Sequence, residues 1–407
     1  MIKNNSSLSL LEDLKREDLE KKRIIVRVDF NVPLSEDSKV KDDTRIRAAV
    51  NTIKYLLINN CIVILMSHLG RPKGTIVEKM RLNTVAQSLE NILQRKVIKL
   101  SDCIGDDVQK NILEAVPGDI ILLENLRFHK GEENNDPLFA QQLSSLADIY
   151  INDAFGSAHR AHASTVGITS YLPAYAGFLI AKEIKSLDKL IINPEKPFVS
   201  IIGGAKVSDK IGILDRLVEI SDTILIGGGM AYTFIAAQGF KIGKSILEEN
   251  QVDYVKKLLS KAKESEKKIV IPEDVLVASD FSADSNSYNV SIEKISRNMF
   301  GMDIGINTID LFKKIINNGK TIFWNGPLGV FEIDKFAHGT NEIAKKIASL
   351  QGKIFSVIGG GDSIAAINKL GLDKKFSHIS TGGGASLEYV AGRKLPGIEV
   401  LRKKDEK

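Results

Sequence analysis

Cys61-Ile-Val-Ile-Leu-Met-Ser-His-Leu-Gly-Arg-Pro72 runs from an unbroken apolar stretch straight into a polar turn carrying glycine, histidine and arginine. A strand that is apolar at every position is covered on both faces, and the change of character at Ser67 marks its carboxyl end. The same rhythm recurs along the first half. Ile24 to Phe30 is a β-branched run, Arg45 to Leu57 has helical spacing of apolar residues, and further strands end at Leu123 and Ile151. Such strands alternating with helices predict an α/β fold with a parallel sheet, in which ligands bind at the carboxyl ends of the strands.

From Ala181 to Asn193 the pattern becomes a charged amphipathic helix, closed by Asn193-Pro-Glu-Lys-Pro197. Two prolines so close together end a helix and mark a boundary. A second α/β series follows, with strands expected at Phe198 to Ile202, Thr223 to Ile226, Lys268 to Ile271, Thr321 to Trp324 and Ile354 to Ile358. The architecture predicted is two doubly wound parallel-sheet (Rossmann-like) domains, residues 1–180 and 196–390, joined by a hinge helix at 181–195.

A length of 407 residues, 43% of them hydrophobic and 26% charged, suits two globular domains. The net charge of +5 is spread along the chain rather than gathered into a basic block, which disfavours nucleic acid and leaves small anions as ligands. Ten of the fourteen arginines lie at or before Arg160. Because guanidinium makes planar, bidentate contact with carboxylate and phosphate, this asymmetry predicts that the first half grips a small acid. Cys61 and Cys103 show neither CxxC spacing nor paired histidines nearby, which disfavours zinc and disulfides and favours a reducing cytoplasm. Met1 to Leu11 lacks the apolar core of a signal peptide, and no apolar run has the length of a membrane span.

Asn152-Asp-Ala-Phe-Gly-Ser-Ala-His-Arg-Ala-His-Ala-Ser164 places His159, Arg160 and His162 among small residues after a strand, and reads as an anion-binding loop or, more plainly, as a surface turn. In the second half, loops beginning at Gly203, Gly227, Gly359 and Thr381 each stand between a strand and a helix, where exposed backbone N–H groups and the helix dipole attract phosphate. Tight turning alone explains any single one of them. Gly239-Phe-Lys-Ile-Gly-Lys-Ser245 is one residue short of a Walker A loop, and no GxGxxG sits at a strand–helix junction with an acid downstream.

Taken in order, Arg27-Val-Asp-Phe-Asn-Val-Pro33, Ser67-His-Leu-Gly-Arg-Pro-Lys73, Glu124-Asn-Leu-Arg-Phe128, Asn152 to His162, Gly203-Gly-Ala-Lys-Val-Ser-Asp-Lys210, Gly227-Gly-Gly-Met-Ala231, Trp324-Asn-Gly-Pro-Leu-Gly-Val-Phe-Glu332, Gly359-Gly-Gly-Asp-Ser363 and Thr381-Gly-Gly-Gly-Ala-Ser386 resemble the phosphoglycerate kinase family over essentially the whole chain. The resemblance implies reversible phosphoryl transfer from 1,3-bisphosphoglycerate to Mg-ADP, giving 3-phosphoglycerate and ATP, by a cytoplasmic, glycolytic, hinge-bending monomer that binds neither nucleic acid nor membrane. It implies that residues 391–407 return to the first domain.

Carried over residue by residue, the resemblance gives the acid to Asp29, Phe30, Asn31, Arg45, His68, Leu69, Gly70, Arg71, Arg127, Arg160 and His162, the histidines and arginines forming a basic patch. Turn capping is the plainer reading of Asp29 and Asn31, and a helix-surface ion pair that of Arg45. Nucleotide goes to Gly203, Ala205, Lys206, Lys210, Gly227, Gly228, Asn325, Pro327, Glu332, Gly360, Gly361, Asp362 and Ser363, with Asp362 ligating Mg2+ and Glu332 facing the ribose. Arg45, Lys206, Gly361 and Gly384 are the implied catalytic positions. The i,i+4 spacing of Lys206 and Lys210 predicts both ammonium groups on one helix face. Phe300 and Ile306 depart from the family's usual tryptophan and proline, near the expected nucleotide pocket. The charged tail Leu401 to Lys407 reads as a solvated end. A closing anion receptor and a kinase of acetate or aspartate are the rival readings; the lysine pair and the arginine-rich first half argue against them.

Overall fold

The computed structural model describes residues 7–403. The first unit contains β1 (Arg23–Val28), β2 (Ile62–Met66), β3 (Ile98–Lys99), β4 (Ile120–Leu122), β5 (Ile149–Asp153) and β6 (Ala174–Ala176), forming one parallel sheet in the order β3-β4-β2-β1-β5-β6. Helices such as Thr44–Ile58 and Asn83–Leu93 bury one apolar stripe each, and the core joins Val26, Val63 and Leu122 of the sheet to Ile46, Ile53 and Leu89 of those helices. Both faces of the central strands are covered, as the unbroken apolar run of β2 requires, and β1 is buried despite carrying Arg27.

The second unit has β7 (Phe198–Ile202), β8 (Thr223–Ile226), β9 (Lys268–Val270), β10 (Asp274–Ala278), β11 (Ser287–Ser291), β12 (Phe300–Ile304), β13 (Thr321–Asn325), β14 (Phe355–Gly359) and β15 (His378–Ile379). Six of these form a sheet ordered β15-β14-β13-β7-β8-β9, parallel at each pairing, the nucleotide-fold order in which the chain reverses direction between β7 and β13. The remaining three form an antiparallel sheet, β11-β10-β12, which the sequence reading did not anticipate. Its edge strand Ser287-Tyr-Asn-Val-Ser291 is half polar and partly exposed, so it carries no long apolar run.

Cα packing divides the chain within the helix Phe178–Ile191, after Lys185, and returns it to the first unit at Lys394. That return is made by backbone pairing, Ser9 N to Leu401 O at 2.8 Å and Lys403 N to Ser7 O at 2.8 Å, and by a short helix, Pro396–Glu399, whose Gly397 N donates to Ala158 O at 2.9 Å. The predicted tail beyond Lys403, and the first six residues of the N-terminal segment, lie outside the described residues.

Two strand ends differ from expectation in a way that matters. β1 stops at Val28 because Phe30 N turns to Ser67 Oγ (2.9 Å) and Val32 N to Phe30 O (2.8 Å). β5 continues through Asn152 and Asp153, which pair with Arg27 and Val28, so the expected anion loop starts two residues late. Asp153 is fully buried, and its Oδ1 accepts from Leu179 N (2.8 Å) at the start of the Phe178–Ile191 helix. Burial pushes its carboxyl up to about 7, against the opposing hydrogen bonds from Thr52 and the helix amides. A carboxyl raised on folding lowers stability as pH rises from its unfolded value through its folded one. Asp153→Asn keeps an acceptor for Leu179 and removes the charge. Thermal melts across pH 5–8 are therefore expected to show the variant gaining on the parent as pH rises; a constant difference would contradict a raised Asp153.

Candidate active site

In the first unit the strand order makes β4, β2, β1 and β5 consecutive neighbours, so their carboxyl ends present four adjacent loops along one sheet edge. Those loops carry Arg127, His68 to Arg71, Asp29 to Asn31, and His159 to His162. Hydrogen bonds sew them together. Asn31 Oδ1 accepts from Gly70 N (2.9 Å), Arg127 Nη1 donates to Gly70 O (2.8 Å), and Asn125 bridges Leu69 N and O (3.2 and 2.8 Å). Gly70 stands at φ +65°, a conformation that favours glycine.

Arg45, in the first turn of the helix Thr44–Ile58, places Nη1 3.1 Å from both oxygens of Asp29. The expected helix-surface pair is thus a cross-loop one. The Asx turn is present too, with Asn31 N on Asp29 Oδ1 at 3.3 Å. Arg71 is exposed at the rim, Arg160 is half-buried with Nε 3.2 Å from His159 Nε2, and Phe30 and Leu69 are buried packing residues.

The basic patch needs one correction. His68 is 5% exposed, and burial, with Arg27, Arg127, Arg45 and His162 nearby, drives its imidazole well below the usual range. Its Nδ1 lies 3.1 Å from Arg27 Nη2, and a guanidinium can only donate, so Nδ1 accepts and the proton sits on Nε2. His68 therefore offers a neutral donor; the positive charge is that of the arginines. Arg127 is itself lowered, first by burial and then, against the pull of Glu133, by Arg27 and Arg160. The lowering of Arg127 by two neighbouring guanidinium groups marks positive charge gathered around one point, as an anion requires.

In the second unit, the loops after β7, β8, β13 and β14 surround a cleft of about 240 Å³ beside the β7/β13 reversal. Of the expected residues, Ala205, Gly228, Pro327, Glu332 and Asp362 line it. Gly203 and Gly227 lie beneath it: a Cβ on Gly203 would fall 2.0 Å from Pro327 O, and one on Gly227 2.4 Å from Leu328. Lys210, Asn325 and Ser363 form a support, with Lys210 Nζ on Asn325 Oδ1 and Gly326 N on Ser363 Oγ (2.7 Å). Burial lowers the Lys210 ammonium, while Asp209 and Asp362 oppose that shift.

The expected lysine face is not formed. Lys206 is exposed on an irregular segment, and the α-helix begins only at Ile211, after the turn Ser208–Lys210. Gly204, at φ +109°, redirects the chain before any helix can start. The cleft's apolar wall, formed by Tyr232, Ile246, Phe281, Leu328 and Val330, escaped the sequence reading. Isolated apolar side chains there look like core. Phe300 does line the cleft and meets Phe281 edge-on at 5.1 Å, whereas Ile306 opens the helix Ile306–Asn318, is exposed, and is absent from the lining.

The phosphoglycerate kinase family model matches residues 11–393. The chain belongs to the phosphoglycerate kinase family. It is 52% identical to phosphoglycerate kinase of Moorella thermoacetica over 391 residues, covering 96% of this chain and 99% of that protein, and 52% identical to that of Dictyoglomus turgidum over 392 residues, covering 96% and 98%. The solved phosphoglycerate kinase of Coxiella burnetii superposes with a TM-score of 0.87 at 38% identity, covering 97% of this chain and 99% of that one. As a member of the phosphoglycerate kinase family, the protein is a kinase.

Gly360, at φ +90°, precedes the helix Gly361–Lys369, and Gly383 precedes the helix Gly384–Val390. A Cβ at Gly361 or Gly384 would meet nothing within 4 Å, and neither has a positive φ. Neither packing nor turning demands glycine there, although a helical glycine costs roughly 0.5–1 kcal/mol relative to alanine. Gly361→Ala and Gly384→Ala are accordingly expected to hold or raise the melting temperature while lowering turnover. Gly203→Ala should lower both. Parallel melting and rate measurements that showed Gly361→Ala fully active would remove the ligand-approach explanation.

Proposed function

We propose that the first unit binds the phosphorylated acid and the second binds Mg-ADP or Mg-ATP, and that the enzyme transfers the acyl phosphate of 1,3-bisphosphoglycerate to ADP reversibly, as a cytoplasmic glycolytic monomer with hinge-bending closure. The observation that carries this reading is the delivery of Arg127, His68, Asp29 and Arg160 to one sheet edge by four adjacent strands. A carboxylate bearing its own phosphate needs several guanidinium donors at one place, which acetate does not.

Phosphoryl transfer of this kind passes through a loose transition state, so alignment, charge neutralisation and exclusion of water are what the side chains supply. Arg45, Arg71, Arg127 and Arg160 hold the acid's charges, and His68 donates Nε2–H. On the other unit, the open amides of the Gly361 turn take the nucleotide phosphates, and Lys206 meets the transferring group. Asp362, exposed and lining the cleft, fits a Mg2+ that keeps waters and phosphate oxygens as its other ligands, and the ion would neutralise phosphate charge. Closure about the Phe178–Ile191 helix and the Thr381 loop would bring the two halves together. A coupled assay with Mg-ATP is expected to give turnover with 3-phosphoglycerate and none with acetate or aspartate; the reverse would refute the acid assignment.

Because Lys206 is exposed and outside any helix, its removal costs the fold little. Lys206→Ala is expected to lower kcat ~100-fold or more, with KM for both substrates changed only a few-fold, as for loss of one transition-state donor. Steady-state kinetics showing kcat within a few-fold of the parent would remove Lys206 from the transition state.

A further inference from the structure

Outside the side chains used above, Asp102, Cys103 and His129 form a separate cluster in the first unit, offering a carboxylate oxygen, a thiol sulfur and an imidazole nitrogen within 4.8 Å of one another. Sequence spacing hides it, since Cys103 lacks a CxxC partner. The fold assembles the set by setting β3 beside β4, so that the turn after one meets the turn after the other. The backbone there is pinned. Leu100 N donates to Leu122 O (3.0 Å), Glu124 N to Asp102 O (3.2 Å) and Cys103 N to Asp102 Oδ1 (2.6 Å). The His129 ring stacks on Phe139 with centroids 5.3 Å apart, and its Nε2 lies 2.6 Å from Asp102 Oδ1.

The accessibility of the three is graded. The side chains of Asp102 and His129 are 48% and 30% exposed, while Cys103 is fully buried behind them. An ion entering from solvent would therefore meet oxygen and nitrogen first and sulfur last. We propose that Asp102, Cys103 and His129 bind a soft divalent transition metal of the zinc class, with water as the fourth ligand. Sulfur and imidazole together select zinc, cobalt or copper over magnesium or calcium. Tetrahedral bonds of zinc length hold N, O and S ligands roughly 3.3–3.8 Å apart, which side-chain rotation of about 1 Å reaches from the present spacing. On binding, the thiol proton leaves to solvent as the sulfur–metal bond forms, and Asp102 exchanges its hydrogen bond to His129 for the metal. No oxidation or reduction is involved. This site is distinct in donors and place from Asp362, where a hard cation would accompany the nucleotide.

Titrating the full-length, metal-stripped protein with Co2+ tests the proposal. The expected result is a near-ultraviolet sulfur-to-cobalt charge-transfer band with tetrahedral visible bands, saturating at one equivalent and abolished by competing Zn2+. Cys103→Ser should lose the charge-transfer band and Cys61→Ser should keep it. Because Cys103 is buried and its variant could misfold, His129→Gln, on the open side, provides an independent arm: it should weaken Co2+ binding more than ~100-fold, beyond the usual effect of an outer-shell change, with an unchanged melting temperature. Absence of the band in the parent, its loss in Cys61→Ser, or its full retention in His129→Gln would each overturn the assignment.

Discussion

A guanidinium with no solvent exposure lies in the central strand of the first unit, and the edge proposed to bind the acid is organised by the need to match it. Arg27 donates to Ser164 Oγ at 2.8 Å, to the carbonyl of Val28 and to His68 Nδ1 at 3.1 Å, and stands 4.0 Å from Glu132 Oε1. Ser164 in turn donates to Glu132 Oε1 (2.6 Å), and its N–H to Oε2 (3.0 Å). These partners come from the segments after β2, β4 and β5. A buried charge stripped of one partner costs several kcal/mol, so the three loops are held in one arrangement. Glu132 remains ionised despite its burial because His162, Arg27 and Ser164 together outweigh desolvation.

On the proposed reading, the two units would recognise anions by different physics. In the first, Arg27 and Arg160 crowd Arg127, a repulsion that a phosphate and a carboxylate would relieve. His68, kept neutral first by burial and then by the same crowd, supplies direction rather than charge. In the second, the amides of Gly203, Gly204, Gly227 and Gly228 are bonded within the fold, whereas a Cβ at Gly361 would meet nothing within 4 Å, which leaves the start of the helix Gly361–Lys369 open to an anion, and apolar walls at Tyr232, Leu328 and Val330 shape the cleft. The Lys210 ammonium there is lowered by burial and turned to Asn325.

Much of this was legible in the residues. Unbroken apolar strands ending in Ser67-His68 or Ile202-Gly203 announce both a buried parallel sheet and the edge at which ligands collect, because only loops at strand ends can afford polar side chains. The arginine asymmetry likewise points to the half that is proposed to meet the acid. What stayed hidden depends on long-range placement. The neutrality of His68 requires knowing that Arg27 lies against it across the sheet. The edge strand β11 of the antiparallel sheet, Ser287-Tyr-Asn-Val-Ser291, is too polar to stand out. Lys206 and Lys210 have helical spacing, yet Gly204 delays the helix past both. The apolar cleft wall joins Tyr232, Ile246, Phe281 and the Leu328–Val330 turn from separate parts of the chain, and the cluster sets His129 against the distant pair Asp102 and Cys103.

On the proposed reading the Arg27–Glu132 network holds the acid site, and that site belongs to the first unit alone. Calorimetric titration of Glu132→Gln with 3-phosphoglycerate and, separately, with Mg-ADP tests both halves at once. Glutamine removes the charge and keeps the shape, so the acid's Kd is predicted to rise at least about ten-fold, equivalent to ~1.4 kcal/mol, while that for Mg-ADP stays within about two-fold. A folded variant that bound 3-phosphoglycerate as tightly as the parent, or lost nucleotide affinity in equal measure, would contradict the account.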